Sequence, residues 1–435
     1  MDSKRVPSKS FLILNSMAPI LMNIFSKPKA FQLAAVDGFR IVCFVMVVTL
    51  QGCQDQGTGP VTVAPIPCED PSILALPRFS VTTHKRPERV KGLIVSLPGM
   101  QWARGDSVRA FFGNKDVKIV FTLNRQMYLV TYLTGEATVT RISHDDEGLN
   151  GLVGSINSPL FSPDGKKIVF PGTTRGKPAF ILDAVTGNTE ALRVPIDPKA
   201  HVTADPHWHQ EGGKTWIYFS TLPGLVGYSD KCGQVTGSTY RIEVLGDSSM
   251  GPIETTGIHG AYRGGISKDG IWAGTSYATT ALFNIKDNRT RKLAGGEQQC
   301  NPSMNPFPIG SVHMDYMMVL AFGGVNYSTI TGDSLTEGLH ENLWIYNQND
   351  KIVWQAKRPD ESYYLRWDKP EWSTDPQFAT AVALRRADEN GDLMVVKIGA
   401  IADAKEGELH QAEAIFRIGI GGFTSDSYSH LWVAP

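Results

Sequence analysis

Four of the ten histidines in this 435-residue chain sit among aromatic and basic neighbours. His207 and His209 flank Trp208 in "ADPHWHQ". His259 opens "HGAYRGG", with Tyr262 and Arg263 close behind, and His313 stands in "GSVHMDY". Each group precedes a pair of strand-like runs, so a fold that repeats those runs around an axis would bring the groups together. Two chemistries suit the set. As neutral nitrogen ligands, His207, His209, His259 and His313 could hold Zn²⁺ or Mn²⁺; Ca²⁺, which takes oxygen ligands, is a further candidate ion for the chain. Without a metal, Arg263 could neutralise a uronate carboxylate while His259 or Tyr262 moves the proton at carbon five, giving β-elimination. Binding alone is a third use, in which Trp208 stacks on a sugar ring or grips a partner loop. Taken singly, each histidine serves equally well as a hydrogen-bonding group between packed elements.

Other chemistries lack their signatures. The chain has no G-x-S-x-G nucleophile elbow, no H-E-x-x-H, no P-loop and no dinucleotide fingerprint. Its formal net charge of -1 gives no reason to expect nucleic acid as a partner. The aspartates of "SPDG" and "SKDG", Asp164 and Asp269, read as acceptors of local backbone hydrogen bonds rather than catalytic groups.

The positioning elements are strands. Forty-three Gly and 26 Pro indicate many turns, while 13 Tyr and 9 Trp favour extended structure. "VKIVFTL", "QMYLVTYL" and "ATVTRIS" open a series of short alternating runs that continues to the C-terminus. Turn residues divide the series into six clear units of roughly 40 to 60 residues, each with three or four strands. A sheet of that size cannot bury its own faces, so neighbours must cover them, and a closed ring does this best. The expectation is an all-β chain forming a single β-propeller over 76–435. Seven blades are expected if "SHLWVAP" combines with "RFSVTTH" and "KGLIVSL" to clasp the ends together, and six if not. No stretch reads as a long amphipathic helix. Trp216, Trp272 and Trp344 read as core, whereas Trp208, Tyr262, Tyr316, Trp367 and Trp372 lie in or near segments that enter blades.

Ser162-Pro163-Asp164-Gly165 and Ser267-Lys268-Asp269-Gly270, each before an apolar strand, resemble the TolB-like (WD40-like) propeller repeat. So do the hairpins "AFILDAVTGNTEAL" and "LFNIKDNRTRKL". The resemblance covers about 100 to 435, and only the first turn keeps the full motif. It implies a propeller, and it spans lipoproteins, periplasmic partner-binding proteins, peptidase appendages and some polysaccharide lyases. His-and-Arg channels occur in those lyases.

The N-terminus reads separately. Lys27, Lys29 and Arg40 precede the ten-residue run "IVCFVMVVTL", too short to span a bilayer but the length of a secretory signal core. "LQGC", Leu50 to Cys53, resembles a bacterial lipoprotein signal. The resemblance implies removal of 1–52, with Met17 or Met22 as alternative starts, and a diacylglyceryl group on Cys53. Gln54 resembles the pattern sent to the outer membrane of Gram-negative cells. Residues 53–75, rich in Gly and Pro, read as a flexible tether. Beyond Cys53 remain Cys68, Cys232 and Cys300, enough for one disulfide at most. The functional expectation is an exported, membrane-anchored binding or scaffold module for a glycan or a protein of the envelope. A uronate-cleaving lyase and an envelope assembly factor are the alternatives.

Overall fold

In the computed structural model the described residues are Glu88–Arg89 and most of 93–435. Residues 1–87, 90–92, 125, 133–134, 143–157, 171–179, 184–187, 192–199, 224–237, 246–248, 260–263, 276–279, 288, 294–299, 306–315, 322–326, 329–333, 336–339, 389, 400 and 402–408 lie outside the description. Cys53, its tether and "RFSVTTH" are therefore outside it.

The fold is an all-β propeller. Its strands are buried on both faces rather than on one. Tyr316–Leu320 (YMMVL) and Asn342–Asn347 (NLWIYN) are buried at every position, and Phe378–Arg385 at all but the last. This is the consequence of packing each sheet between two others, and it replaces simple alternation with near-continuous apolar runs. Separate core clusters fill the spaces between successive sheets. One joins Tyr316, Met318 and Leu320 to Trp367, Ala381 and Met394, and the next joins Phe121 and Tyr128 to Val382 and Phe423.

Five sheets carry four or five strands. Among the described residues the unit at Trp272–Thr275, Ala281–Asn284 and Arg289–Lys292 forms three strands, with an isolated bridge from Ile266 to Ala273. The expected seven-bladed ring, and its six-bladed alternative, are thus corrected to five full blades. Before Trp272 the pairing continues through the Ile266 bridge to Gly264 and Gly265, whose backbones bond that of Gly274 at 2.8 and 3.1 Å, without a fourth named strand among the described residues. The physical reason lies at the chain ends, where the described terminal segments build no blade of their own. Ser429–Val433 pairs in antiparallel register with Val117–Leu123, His430 opposite Val120 and Trp432 opposite Lys118. Leu93–Ile94 pairs with Thr140–Arg141 at the far edge of that same sheet.

The N-terminal segment closes other edges as well. Glu88–Arg89 pairs with Asn188–Thr189, and Gln101–Trp102 with Gly419–Ile420. His410–Gln411 covers the edge of Ile352–Lys357. Four sheets thus have an outer edge capped by a short borrowed strand, which hides hydrogen-bonding groups that would otherwise template aggregation.

The repeated turns are wired alike. Ser162 Oγ donates to Asp164 Oδ1 at 2.6 Å, Asp164 Oδ1 accepts from the Lys166 amide at 3.0 Å, and the Lys167 amide returns to Ser162 Oγ at 2.9 Å. Ser267, Asp269, Ile271 and Trp272 repeat the pattern at 2.6, 2.9 and 2.9 Å. Both aspartates are spent on their own turns, as their sequence context suggested. Ser373-Thr374-Asp375 forms a variant, with the Asp375 amide donating to Ser373 Oγ and Asp375 Oδ1 accepting from Gln377. The Cys300 unit replaces the turn with a longer connection, closed at its base where Asn305 Oδ1 accepts from the Tyr316 amide at 2.9 Å.

Candidate functional site

The inner strands are the ones whose residues meet at the centre, and three of them are bulged in the same way. Ala200–Glu211 shifts register between Ala204 and His207, Cys300–Met304 between Cys300 and Ser303, and Tyr364–Trp372 between Asp368 and Glu371. Each shift encloses a proline: Pro206, Pro302 and Pro370. Proline cannot donate to the ladder, so it forces a local break. At Pro302 and Pro370 the residue before the proline carries the distortion. Asn301 and Lys369 hold φ of 46° and 45°, and so does Ser158, before Pro159, at 46°. Such a bulge bends the strand and re-aims the side chain that follows. The residues after the four prolines are Leu160, His207, Ser303 and Glu371.

Three of these four line a half-open central cavity of about 50 Å³. Leu160 and Phe161 contribute one side, His207 and Trp208 the next, then Gly265, Ile266 and Met304, and finally Glu371, Trp372, Thr374 and His430. That volume takes a few water molecules or one small polar arm of a larger ligand. Gly265 is needed for it: at φ of 82°, any Cβ there would come within 2.7 Å of His207 Cδ2.

The polar groups are tied together. Ser303 Oγ donates to Glu371 Oε1 at 2.6 Å and accepts from the Trp372 amide at 3.0 Å. His430 Nδ1 accepts from the Phe161 amide at 3.0 Å, and its ring also bonds the Trp372 backbone. Burial first, then the neighbouring His207, push the His430 pKa down to about 3, so its ring is neutral and serves as a fixed strut. Trp208 Nε1 donates to the Leu160 carbonyl at 2.9 Å, and Trp372 Nε1 to that of Pro376 at 3.0 Å.

The sequence candidates separate in this frame. His207 reaches the cavity. His209, two residues along the same strand face, instead lies buried in the seam beneath the Ser267–Gly270 turn, edge-on to Tyr218 at 5.5 Å. Its Nε2 has no hydrogen-bond partner, and burial, followed by Lys268, lowers its pKa to about 4. The His259 backbone ends the outermost strand of its sheet, opposite Ser238, and its side chain lies outside the description. Tyr262, Arg263 and His313 are outside it too. Among the described residues no group of three His, Cys, Asp or Glu is placed to hold a metal ion. Tyr316, Trp367 and Trp372 are buried, and Trp216 and Trp344 are core. Sequence reasoning missed Ser303, Glu371 and His430. The recurring X-Pro step inside apolar strands was the available signal for the first two. His430 carried none, because its partner is brought to it by ring closure.

No family model and no curated protein matches the chain. Solved structures do. Apo AztD from Citrobacter koseri is 7% identical over 74% of this chain and 99% of its own, with a TM-score of 0.34. An oligogalacturonate lyase from Vibrio parahaemolyticus is 11% identical over 72% and 85%, with a TM-score of 0.35. An exo-1,5-α-L-arabinanase from a bovine ruminal metagenomic library is 11% identical over 56% and 92%, with a TM-score of 0.31. These likenesses concern the β-propeller fold alone, a scaffold suited to holding ligands or proteins.

Proposed function

We propose that the chain is an exported, lipid-anchored propeller that holds a hydroxyl-rich ligand, a glycan end, at the cavity of His207 and Glu371. The observation that supports it is the pair of inner strands bulged at Pro206 and Pro370, which bring His207 and Glu371 to one half-open space lined mostly by apolar residues. A sugar hydroxyl both donates and accepts. Glu371, held by Ser303, supplies an acceptor, and the imidazole of His207 supplies either role. The small cavity admits one hydroxyl-bearing arm, so the rest of the ligand lies over the mouth. Under this reading His259, Tyr262, Arg263 and His313 extend the binding surface, and the propeller stands off the membrane on a tether from Cys53. Nothing among the described residues favours elimination over binding.

The test has two parts. Wild-type protein should take up labelled fatty acid and fractionate with membranes, and Cys53→Ser should release it. The released protein should bind a restricted set of carbohydrates on a glycan array, and the combined His207→Ala, Glu371→Gln variant should lose them. A Cys53→Ser protein still in the membrane fraction, or an array signal indifferent to the double variant, would overturn the corresponding half.

A further inference from the structure

Three short strands from the N-terminal side of the chain lie on the outer edges of three consecutive sheets. Gln101–Trp102 pairs with Gly419–Ile420, Leu93–Ile94 with Thr140–Arg141, and Glu88–Arg89 with Asn188–Thr189, all antiparallel. The host sheets are neighbours in the ring. Val382 and Phe423 of the first pack with Phe121 and Tyr128 of the second, and Met127 and Leu129 of the second with Phe161 and Ile168 of the third. Followed toward its N-terminus, the chain thus steps around the rim and lays one strand on each sheet it passes. Residues 95–100 make the first step and 90–92 the second.

The next sheet in that direction is built by Ala200–Glu211, Lys214–Pro223, Ser238–Leu245 and Ser249–His259. Its Ile217 and Phe219 pack with Leu160 and Val169 of the third. Ser249–His259 is its outermost strand, and among the described residues no strand covers the far edge. At 11 residues it is long for an edge. Its one carboxylate, Glu254, is engaged by Arg241 at 2.8 Å. The other outer strand without a cover among the described residues, Arg289–Lys292, differs. It has 4 residues, and Arg289, Arg291 and Lys292 are exposed cations. Short edges and edge cations both discourage pairing with another chain. Ser249–His259 has neither protection. Pro252 withholds a donor near one end only, which leaves 253–259 able to pair.

The step length selects the segment that meets this edge. A connection as short as 90–92 or as long as 95–100, placed before Glu88, puts the end of the preceding strand between Val81 and His84. The sequence there is Arg78-Phe79-Ser80-Val81-Thr82-Thr83-His84, bounded by Pro77 and Pro87. Its aromatic and β-branched residues suit a strand, and the prolines suit the turns on either side. We propose that 78–84 pairs antiparallel with 253–259, so that the N-terminal chain straps the rim of four consecutive sheets. The strap covers an edge and adds no blade. A second copy of the chain would have to compete with a segment tethered beside the edge, at an effective concentration of about millimolar. The inference makes no use of the glycan cavity, so either reading can fail without the other.

The experiment is amide hydrogen exchange, read by mass spectrometry on peptides from 249–259, in the full chain carrying Cys53→Ser at low micromolar concentration. These amides should be protected. Consecutive strand residues point their amides to opposite sides, so in the double variant Val81→Pro, Thr82→Pro one proline must remove a ladder donor. That variant should exchange the edge at least about tenfold faster, with peptides from 214–223 unchanged. Thr58→Pro, in the tether, should leave both alone. A second measurement holds should the double variant fail to fold: a photo-crosslinking phenylalanine analogue in place of Phe79 should capture a peptide from 249–259. An edge open to exchange in the parent protein, an unchanged rate in the folded double variant, equal loosening by Thr58→Pro, or crosslinks confined to another sheet would overturn the assignment. Protection that grows with protein concentration would give the edge to a second copy and overturn it likewise.

Discussion

Nδ1 of His430 accepts a hydrogen bond from the amide of Phe161 at 3.0 Å, across 269 residues of chain. The contact ties the C-terminal strand to the sheet that follows it around the ring, and it requires a neutral imidazole. Protonation would turn the acceptor into a donor aimed at another donor. In the folded protein His430 stays neutral down to a pKa of about 3, whereas an unfolded histidine titrates near 6.5. Between those values the unfolded chain holds the extra proton, so stability falls as pH falls, by up to ~1.4 kcal/mol per pH unit. His340, at about 3, and His209, at about 4, act in the same direction. Thermal melts from pH 7.5 to 4.5 should show a steep loss below about 6.5, and His430→Leu should flatten the slope by about a third. A melting temperature level from pH 7 to 5 would show that these rings are not held neutral.

Gly165 and Trp432 form a second fastening of the same strand. Trp432 Nε1 donates to Pro163 at 3.1 Å, and Lys118 lies over its ring at 4.5 Å. A Cβ on Gly165 would come within 2.4 Å of the indole, at φ of 67°. Gly113 has nearly the same φ, 65°, with nothing within 4 Å. Gly113→Ala should therefore cost about 1 kcal/mol, the backbone penalty alone. Gly165→Ala should cost that plus about 1–3 kcal/mol of overpacking. Equal losses in denaturant melts would show that the indole is not where it is described.

Removing Ser429 to Pro435 deletes the strand opposite Val117–Leu123 and takes Leu431, Trp432 and Val433 out of the core. It leaves a buried strand edge open, so the truncated protein should aggregate on expression. A soluble truncation that melts like the parent would contradict closure at this sheet.

The strands, the Ser-Pro-Asp-Gly turns and the core tryptophans 216 and 344 were legible in the sequence because each is a local pattern. Blade number was not, since it depends on which sheet takes each end of the chain. "SHLWVAP" is a strand by composition, but its pairing with Val117–Leu123 is a matter of ring closure. The site was half legible. His207 stood out by residue type, while His209, a neighbour in sequence and on the same strand face, fell into the seam under Gly270. Glu371 and Ser303 were hidden in runs that looked like ordinary strand. The prolines at 302 and 370 were the clue that those strands break where they pass the channel.

The central claim is that the cavity beside His207 binds the ligand, and isothermal titration calorimetry tests it most directly. A glycan selected on the array would be titrated into wild-type, His207→Ala and His209→Ala protein, with melting temperatures recorded alongside. His207→Ala should weaken binding at least tenfold, equivalent to about 1.4 kcal/mol, with little change in stability. His209→Ala, in the seam, should lower the melting temperature and leave affinity within about twofold. Unchanged affinity in His207→Ala, or equal losses in the two variants, would contradict the channel as the binding site.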